Sequence, residues 1–156
     1  MPELDIRVDD LSGEQTRALV AFHLAGMHDS TPPENVFALD VDGLRAPGVT
    51  FWSAWDGDTL VGIAALKELD GANGEVKSMR VTDAARGTGA GRALLRHLVA
   101  EARARGYATL WLETGTPDDF VPARRLYASE GFVECGPFGD YPESPYSLFM
   151  TLSLVE

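Results

Sequence analysis

Cysteine is almost absent from this chain, and long apolar runs are absent altogether. Cys135 is the single cysteine among 156 residues, so no internal disulfide can form, and no Cys/His cluster has metal-ligand spacing. We expect Cys135 to be a buried structural residue, because no neighbouring histidine or helix start would activate its thiol. No apolar run approaches the ~20 residues that span a bilayer. The N-terminus lacks the pattern of a signal peptide, so we expect a cytoplasmic protein. We also expect no metal and no membrane partner.

Basic residues are scarce as well. The chain has 13 Lys and Arg against 24 Asp and Glu, which gives a formal net charge of −11. This excess of acid argues against a general nucleic-acid binder, whose phosphate contacts require a dominant basic surface. A chain of 156 residues can bury one sizeable core but is short for two domains, and it shows no repeat or linker. We therefore expect one domain over residues 1–156.

Glycine, by contrast, is concentrated at one place. The predicted strand Glu75–Val81 leads through a short turn into Arg86-Gly87-Thr88-Gly89-Ala90-Gly91, which opens a predicted helix over Arg92–Arg105. Three glycines in six residues let successive backbone N–H groups converge at a helix start, where the helix dipole adds partial positive charge. This layout predicts a site for a pyrophosphate. A flexible turn that only lets the strand pack on the helix is the alternative.

The charge around this turn also favours an anion. Residues 77–105 contain seven Lys and Arg against two acidic residues, which reverses the acidic balance of the chain. Arg92 and Arg96 lie one helical turn apart, where like charges repel unless an anion or solvent lies between them. A bound phosphate would remove this repulsion.

The glycine spacing excludes the two commonest phosphate-binding motifs. A P-loop ends in Gly-Lys-Ser/Thr and a dinucleotide fingerprint reads G-x-G-x-x-G, whereas the glycines here read G-x-G-x-G. The segment resembles instead the coenzyme A signature of the GNAT acyltransferase superfamily, Arg/Gln-x-x-Gly-x-Gly/Ala, which Arg86, Gly89 and Gly91 match. The segments Thr109–Glu113 and Ala123–Phe132 are similar to the strand and helix that follow in this family.

The resemblance implies an α/β (α+β) fold. In this fold a mixed, mostly antiparallel central sheet of about six or seven strands is flanked by helices, and a splayed strand pair holds acyl-CoA. The ending Gly136–Met150 is similar to a branch of small bacterial single-domain members. One position departs from the family pattern: Phe120 stands seven residues before Tyr127, where many members carry an asparagine that holds the pantetheine arm.

The resemblance also implies roles for individual residues. Acetyl-CoA would be held by Met79, Arg80, Val81, Arg86, Gly87, Thr88, Gly89, Ala90, Gly91 and Arg92. Tyr127 is expected to protonate the departing thiolate, and Glu75 is expected to take the proton of the amine. Core packing is the alternative for Tyr127, and a surface carboxylate paired with Lys77 is the alternative for Glu75. Strand alternation predicts that Glu75 shares a face with Lys77, Met79 and Val81.

Acceptor specificity is expected from the loops 27–48 and 137–146, because loops on a rigid scaffold usually shape such pockets. Glu34 favours a cationic amine, His28 and Lys77 can hold a carboxylate, and Tyr141 can supply an aromatic wall. We expect transfer of an acetyl group to the primary amine of a small molecule, such as an amino acid derivative, by direct attack in a ternary complex. A peptide or protein N-acetyltransferase and a non-catalytic acyl-CoA sensor are the alternatives, and a homodimer is compatible with the sequence.

The remaining elements follow from periodicity and turn residues. A helix is expected from Ser12 or Gly13, and 27–48 is expected to be irregular with one short helix around Glu34–Leu39. Strands are expected at Leu4–Val8, Val49–Trp55, Thr59–Glu68, Phe132–Pro137 and Ser147–Leu154.

Overall fold

The computed structural model describes residues 4–31, 40–139 and 141–155, apart from the side chains of residues 28–30 and 119, and confirms the mixed α/β fold. The strands are β1 (Asp5–Val8), β2 (Val49–Asp56), β3 (Thr59–Asp70), β4 (Asn73–Val81), β5 (Thr109–Gly115), β6 (Val133–Cys135) and β7 (Ser147–Ser153). The helices are α1 (Glu14–Ser30), α2 (Val41–Leu44), α3 (Ala90–Ala104) and α4 (Val121–Ser129), with 3₁₀ turns at Asp83–Ala85 and Asp118–Phe120.

The seven strands form one sheet in the order β1-β2-β3-β4-β5-β7-β6. All neighbouring strands pair antiparallel except β4 and β5, which are parallel. Their parallel ladder starts with Asn73 opposite Thr109 and ends with Val76 opposite Leu112, although both strands continue beyond these residues. The two strands therefore separate after Val76 and open a gap in the middle of the sheet.

A β-bulge interrupts β4 at the start of this gap. Ala65 of β3 lies opposite Lys77 and Ile63 lies opposite Arg80, so two steps on β3 match three steps on β4. Ser78 lies in the bulge with a φ of 53°, in the left-handed region that non-glycine residues rarely adopt. Bulges of this kind re-aim the side chains that follow them and are frequent beside active sites.

The bulge changes which side chains of β4 face α1. From Glu75 to Lys77 the side chains alternate between the two faces of the sheet. The extra residue in the bulge exchanges the two faces for the residues that follow. Arg80 therefore shares the face of Glu75 and Lys77, whereas Met79 and Val81 pack against the core on the α3 side. The prediction that Met79 and Val81 share a face with Glu75 is wrong, because the sequence gives no sign of the extra residue.

Helices cover both faces of the sheet. On one face α3 and α4 enclose the larger core, which includes Leu94, Leu95, Leu98, Leu110, Leu112, Tyr127 and Phe132. On the other face α1 and α2 enclose a second core of Leu11, Leu19, Val20, Leu44, Phe51, Leu60, Ile63 and Ala65. The apolar positions of α3 recur at helical spacing and are fully buried, which explains why this helix packs along the centre of the sheet. None of the described helices is long and apolar enough to cross a membrane.

The segment after α1 differs from the sequence-based expectation. The helix continues through the buried Met27 to Ser30, where 27–48 was expected to be irregular apart from one short helix around Glu34–Leu39. It ends at Thr31, which is extended and precedes Pro32, and a residue before proline disfavours the helical conformation. The short helix expected around Glu34–Leu39 lies outside the described residues.

The edge of the sheet also differs in one respect. Strand β6 comprises only Val133–Cys135, shorter than the expected Phe132–Pro137. Cys135 is half-buried at this edge strand, so the expectation of a buried cysteine is wrong. Partial burial and the neighbouring Glu134 carboxylate raise the pKa of its thiol, which keeps the sulfur in its less reactive protonated form.

Candidate active site

The gap between β4 and β5 contains a cavity of about 970 Å³ that joins the two faces of the sheet. Residues of α1 line one end, and the turn before α3 together with the start of α4 lines the other. Between these ends the walls include Glu75, near the end of the β4–β5 ladder, and Lys77, Glu113 and Thr114, where these two strands no longer pair with each other. The cavity is thus created by the separation of two strands. It connects the glycine turn before α3 with the carboxyl side chains of Glu75 and Glu113.

The glycine turn has the geometry of an anion site. Gly87 and Gly89 have φ values of 77° and 92°, which side chains other than glycine rarely adopt. Gly89 caps α3 without a side chain, so the first backbone N–H groups of the helix have no side-chain acceptor at the cap. A Cβ built at Gly87 meets nothing within 4 Å, so the space beside this turn is open. These features fit a pyrophosphate at the helix start.

The other predicted members of the turn make contacts within the protein. Thr88 donates from its backbone N–H and its hydroxyl to the carbonyl of Ala85, at 3.2 and 2.5 Å. Arg86 forms an exposed ion pair with Asp83 at 3.3 Å. A Cβ at Gly91 would lie 3.3 Å from Leu126 and from Val81, so this glycine allows close packing of α3. Backbone N–H groups are consequently the main donors that the turn offers.

The two neighbouring arginines of α3 share an acidic partner in the protein. Arg92 and Arg96 both bind Glu130, which follows α4, and the Arg96 Nε to Glu130 Oε1 distance is 2.6 Å. Glu130 therefore provides the negative charge that the sequence analysis assigned to a bound phosphate. The arginine pair fastens the start of α3 to the end of α4, although Arg92 still lines the cavity.

Phe120 occupies the position where the family pattern has asparagine. Its ring lies against Gly115 so closely that a Cβ built on this glycine would be 2.4 Å from the ring. Gly115 thus makes room for the phenylalanine, and Phe120 lines the cavity. The asparagine amide is replaced here by an apolar ring, which can contact a pantetheine arm but cannot hydrogen-bond to it.

Tyr127 lies in the cavity wall on the α3 side of the sheet. It is 7% exposed, and its ring packs against Phe132 with the ring centroids 5.8 Å apart. Burial, assisted by the negative charge of Glu113, raises the pKa of Tyr127 above its usual value. The hydroxyl is therefore protonated at neutral pH and can donate a proton or a hydrogen bond.

Glu75 belongs to a buried cluster on the α1 side. Its Oε2 accepts from Lys77 Nζ at 3.2 Å and from the Tyr141 hydroxyl at 2.5 Å, and Lys77 also donates to the Tyr141 oxygen at 2.8 Å. Glu75 is 3% exposed and the Lys77 side chain is 8% exposed. Of the alternative interpretation, a surface carboxylate paired with Lys77, the pairing is present but the surface position is wrong. Burial by the Tyr141 loop, which is 66 residues away in sequence, accounts for the difference.

Glu113, at the separated end of β5, is a functional candidate that the sequence analysis missed. It lines the cavity together with Glu75 and Tyr127. Burial raises the pKa of Glu113 to about 7, and the charge of Glu75 adds to the rise while Lys77 opposes it. A carboxyl group that titrates near neutral pH can exchange a proton with a substrate. Its only sequence signal was a single acidic residue at the end of the apolar strand Thr109-Leu110-Trp111-Leu112.

The raised pKa of Glu113 predicts how stability depends on pH. The native state holds this proton more tightly than the unfolded chain, whose carboxyl has a pKa near 4.5. The free energy of unfolding should therefore fall as pH rises from about 4.5 to about 7, by up to about 3 kcal/mol, and then level off. In Glu113→Gln this contribution disappears. In denaturant unfolding between pH 4 and 8, the free energy of unfolding of the variant should increase relative to that of the wild type as pH rises.

Glu134→Gln, on the exposed part of β6, serves as the control for this experiment, because it removes one carboxylate without touching the cavity. Parallel curves for the wild type and Glu113→Gln would contradict the assignment.

The structure brings together most of the predicted site residues that it describes. Glu75, Lys77 and Tyr141 form one cluster, and Tyr127 lies in the same cavity wall as Glu75. The side chain of His28 and all of Glu34 lie outside the described residues. Within the described ranges, no group of three or more His, Cys, Asp or Glu side chains is arranged to hold a metal ion.

Known proteins resemble the chain in sequence and in structure. A family model described as acetyltransferase (GNAT) family matches residues 15–132. The chain is 50% identical over 151 residues to the uncharacterized N-acetyltransferase YsnE of Bacillus subtilis (strain 168), covering 97% of this chain and 100% of that protein. It is 42% identical over 123 residues to an IAA acetyltransferase of Azospirillum brasilense, covering 78% and 79% of the two chains. A Klebsiella pneumoniae crystal structure, described as an acyl-CoA N-acyltransferase, matches with a TM-score of 0.80 at 25% identity, covering 99% and 100%.

Proposed function

Because the chain belongs to the acetyltransferase (GNAT) family, we propose that it is a single-domain enzyme that transfers an acetyl group from acetyl-CoA to the primary amine of a small molecule. One observation carries this proposal. The cavity between β4 and β5 connects an anion site at the start of α3 with buried carboxylates on the opposite face of the sheet. A donor entering from one face and an amine entering from the other would meet in the gap.

The donor would be held mainly by backbone groups. N–H groups at Gly87, Gly89 and Ala90 would bind the pyrophosphate, since the glycine conformations and the helix start direct them to one place. The edge of β4 after Val76 has no strand opposite it in the described part of the chain, so Met79 and Val81 can pair with the pantetheine arm as a strand would. An N–H group there would also stabilise the oxyanion that forms on the thioester carbonyl.

The transfer needs two proton movements besides the exchange of bonds. The amine nitrogen forms a bond to the carbonyl carbon, the carbon–sulfur bond breaks, and the sulfur leaves with its electron pair. Glu75 would accept the proton that the amine loses, directly or through a water molecule. Tyr127 would donate a proton to the departing thiolate and later recover one from solvent. The products are the N-acetylated amine and the free thiol of coenzyme A.

A second carboxyl group is a candidate for the base. Glu113 faces the same cavity and titrates near pH 7, whereas Glu75 is fixed by Lys77 and Tyr141. If Glu113 takes the proton, the rate should rise through pH 7, and this rise should vanish in Glu113→Gln. If Glu75 takes it, the pH dependence of the rate should be the same in Glu113→Gln as in the wild type. The pH–rate profile of kcat/KM therefore separates the two assignments.

The test of the proposed function is the release of free thiol from acetyl-CoA. The acceptor panel should contain amino acids, polyamines, aminoglycosides and basic peptides, and binding of acetyl-CoA should be measured in parallel by calorimetry. Thiol release that requires a small amine is the expected result. Release with basic peptides alone would favour a peptide N-acetyltransferase, and tight binding without turnover on any acceptor would favour an acyl-CoA sensor.

A further inference from the structure

Three polar side chains gather at the α1 end of the cavity, where the acetyl-transfer step has no use for them. His23 of α1, Ser78 in the bulge and Arg80 of β4 all line the cavity. His23 Nδ1 and Ser78 Oγ are buried and have no hydrogen-bond partner among the described residues. Buried polar atoms without partners are costly, so two of them beside one arginine in a cavity wall indicate a polar ligand.

Arg80 reaches this place because of the bulge. Its guanidinium lies over the ring of Phe22, with Cζ 4.9 Å from the ring centroid, and its Nη1 lies 3.8 Å from a Cβ built at Gly26. Positions 22, 23 and 26 are neighbours on one face of a helix, so the guanidinium lies along α1 beside His23. A regular β4 would have turned Arg80 to the α3 side, towards the donor.

Arg80 carries a positive charge, and His23 beside it is uncharged. Burial, and the nearby charge of Arg80, lower the pKa of His23 to about 4. The imidazole is therefore neutral at physiological pH and carries one N–H donor and one acceptor. Arg80 supplies a planar fork of donors, and Ser78 supplies a hydroxyl.

A carboxylate matches this set of donors. Guanidinium groups bind carboxylates in a bidentate manner, and a hydroxyl and an imidazole N–H can each donate one further hydrogen bond. On β3, Lys67 lies opposite Glu75 and Ile63 lies opposite Arg80. Lys67 and Ile63 are four positions apart, or about 13 Å along the strand. The long side chains of Glu75 and Arg80 can each cover part of that separation.

We infer that Arg80, Ser78 and His23 form a subsite for a carboxylate group of the acceptor, so that the acceptor is a small amine which also carries a carboxylate, such as an amino acid or a close derivative. The inference rests on the proposed acetyl transfer and specifies its substrate class. The amine lies towards the buried carboxylates and the acid lies towards α1, which fixes the orientation of the acceptor across the cavity. Arg80 is thereby assigned to the acceptor, although its backbone remains beside the donor.

The first test compares each amino acid of the panel with its carboxamide, which keeps the amine and loses the negative charge. The wild type should prefer the acid in kcat/KM by at least about tenfold. Arg80→Gln should abolish this preference, because the KM for the acid should rise by a much larger factor than the KM for the carboxamide. Arg80→Lys should retain part of the preference, because it keeps the charge but loses the fork. Arg103→Gln, an exposed arginine of α3, is the control for the loss of one charge.

A second measurement does not depend on turnover. N-acetylglycine and N-acetylglycinamide are titrated into the protein in the presence of coenzyme A, and the imidazole resonances are followed by NMR. The His23 signal should shift with the acid and not with the amide, and Arg80→Gln should abolish the shift. His97, which packs edge-on against Trp52, is the internal reference.

The outcomes separate the two proposals. Equal turnover of acids and carboxamides, or an acid preference that survives in Arg80→Gln, would overturn the carboxylate subsite and leave acetyl transfer standing. Acid-selective shifts of His23 without thiol release from any acceptor would support the subsite and contradict the proposed function. Equal responses of His23 to both probes would overturn the subsite whether or not turnover is seen.

Discussion

Tyr127→Phe should lower kcat for acetyl transfer by about 10²–10⁴-fold while acetyl-CoA binds with nearly unchanged affinity. The hydroxyl is protonated at neutral pH, because burial and the charge of Glu113 raise its pKa, and it lies in the wall of the cavity where the thioester would be held. Without it the thiolate leaves unprotonated. The substitution keeps the aromatic ring and its contact with Phe132, so the fold should be retained.

Tyr146→Phe is the matched control, because Tyr146 is 38% exposed and does not line the cavity. Thiol release under saturating acetyl-CoA measures the effect, and calorimetry measures donor affinity. A Tyr127→Phe variant with wild-type kcat would show that the tyrosine contributes only to core packing. A variant that loses donor affinity instead of kcat would assign the hydroxyl to binding.

Glu75→Gln should destabilise the protein by about 3–5 kcal/mol at pH 7, besides lowering activity. The substitution leaves the Lys77 ammonium, whose side chain is 8% exposed, beside a neutral amide and the Tyr141 hydroxyl. A buried charge without its counter-ion is costly, and this cost exceeds the loss of one hydrogen bond. Adding Lys77→Met in the Glu75→Gln background should recover most of the lost stability without recovering activity.

Denaturant unfolding followed by tryptophan fluorescence measures these differences. Asp5→Asn, which breaks the exposed pair with Arg7, is the control and should leave the free energy of unfolding nearly unchanged. If Lys77→Met fails to stabilise the Glu75→Gln background, the ammonium is solvated and the cluster is not an isolated buried pair.

The turn and helix of the proposed donor site could be predicted from sequence because their signals are local. The glycines of the turn before α3 lie within six residues, and two of them have the positive φ values that only glycine adopts readily. The apolar spacing of α3 and the Asp56-Gly57-Asp58 turn between β2 and β3 are equally local, and both elements form where they were expected. Short-range periodicity and turn chemistry carry this information by themselves.

The arrangement of the proposed acceptor side could not be predicted because it depends on contacts between distant residues. Tyr141 meets Glu75 across 66 positions, and no local pattern reports that contact. The bulge at Ser78 contains no glycine, so its positive φ leaves no trace in the sequence, yet it decides which face Arg80 occupies. The raised pKa of Glu113 likewise arises from burial, which only the packed structure establishes.

The two ends of the cavity are built in different ways, and this has a practical consequence. In the proposed reaction the donor end is formed largely by one continuous stretch, residues 85–92, whereas the acceptor end combines α1, the bulged part of β4 and the end of β5. If the proposal holds, substitutions in α1 or β5 should reshape the pocket for the amine without altering the segment that binds coenzyme A. Such an arrangement would separate the choice of acceptor from the supply of the acetyl group, so the first could be redesigned while the second stays intact.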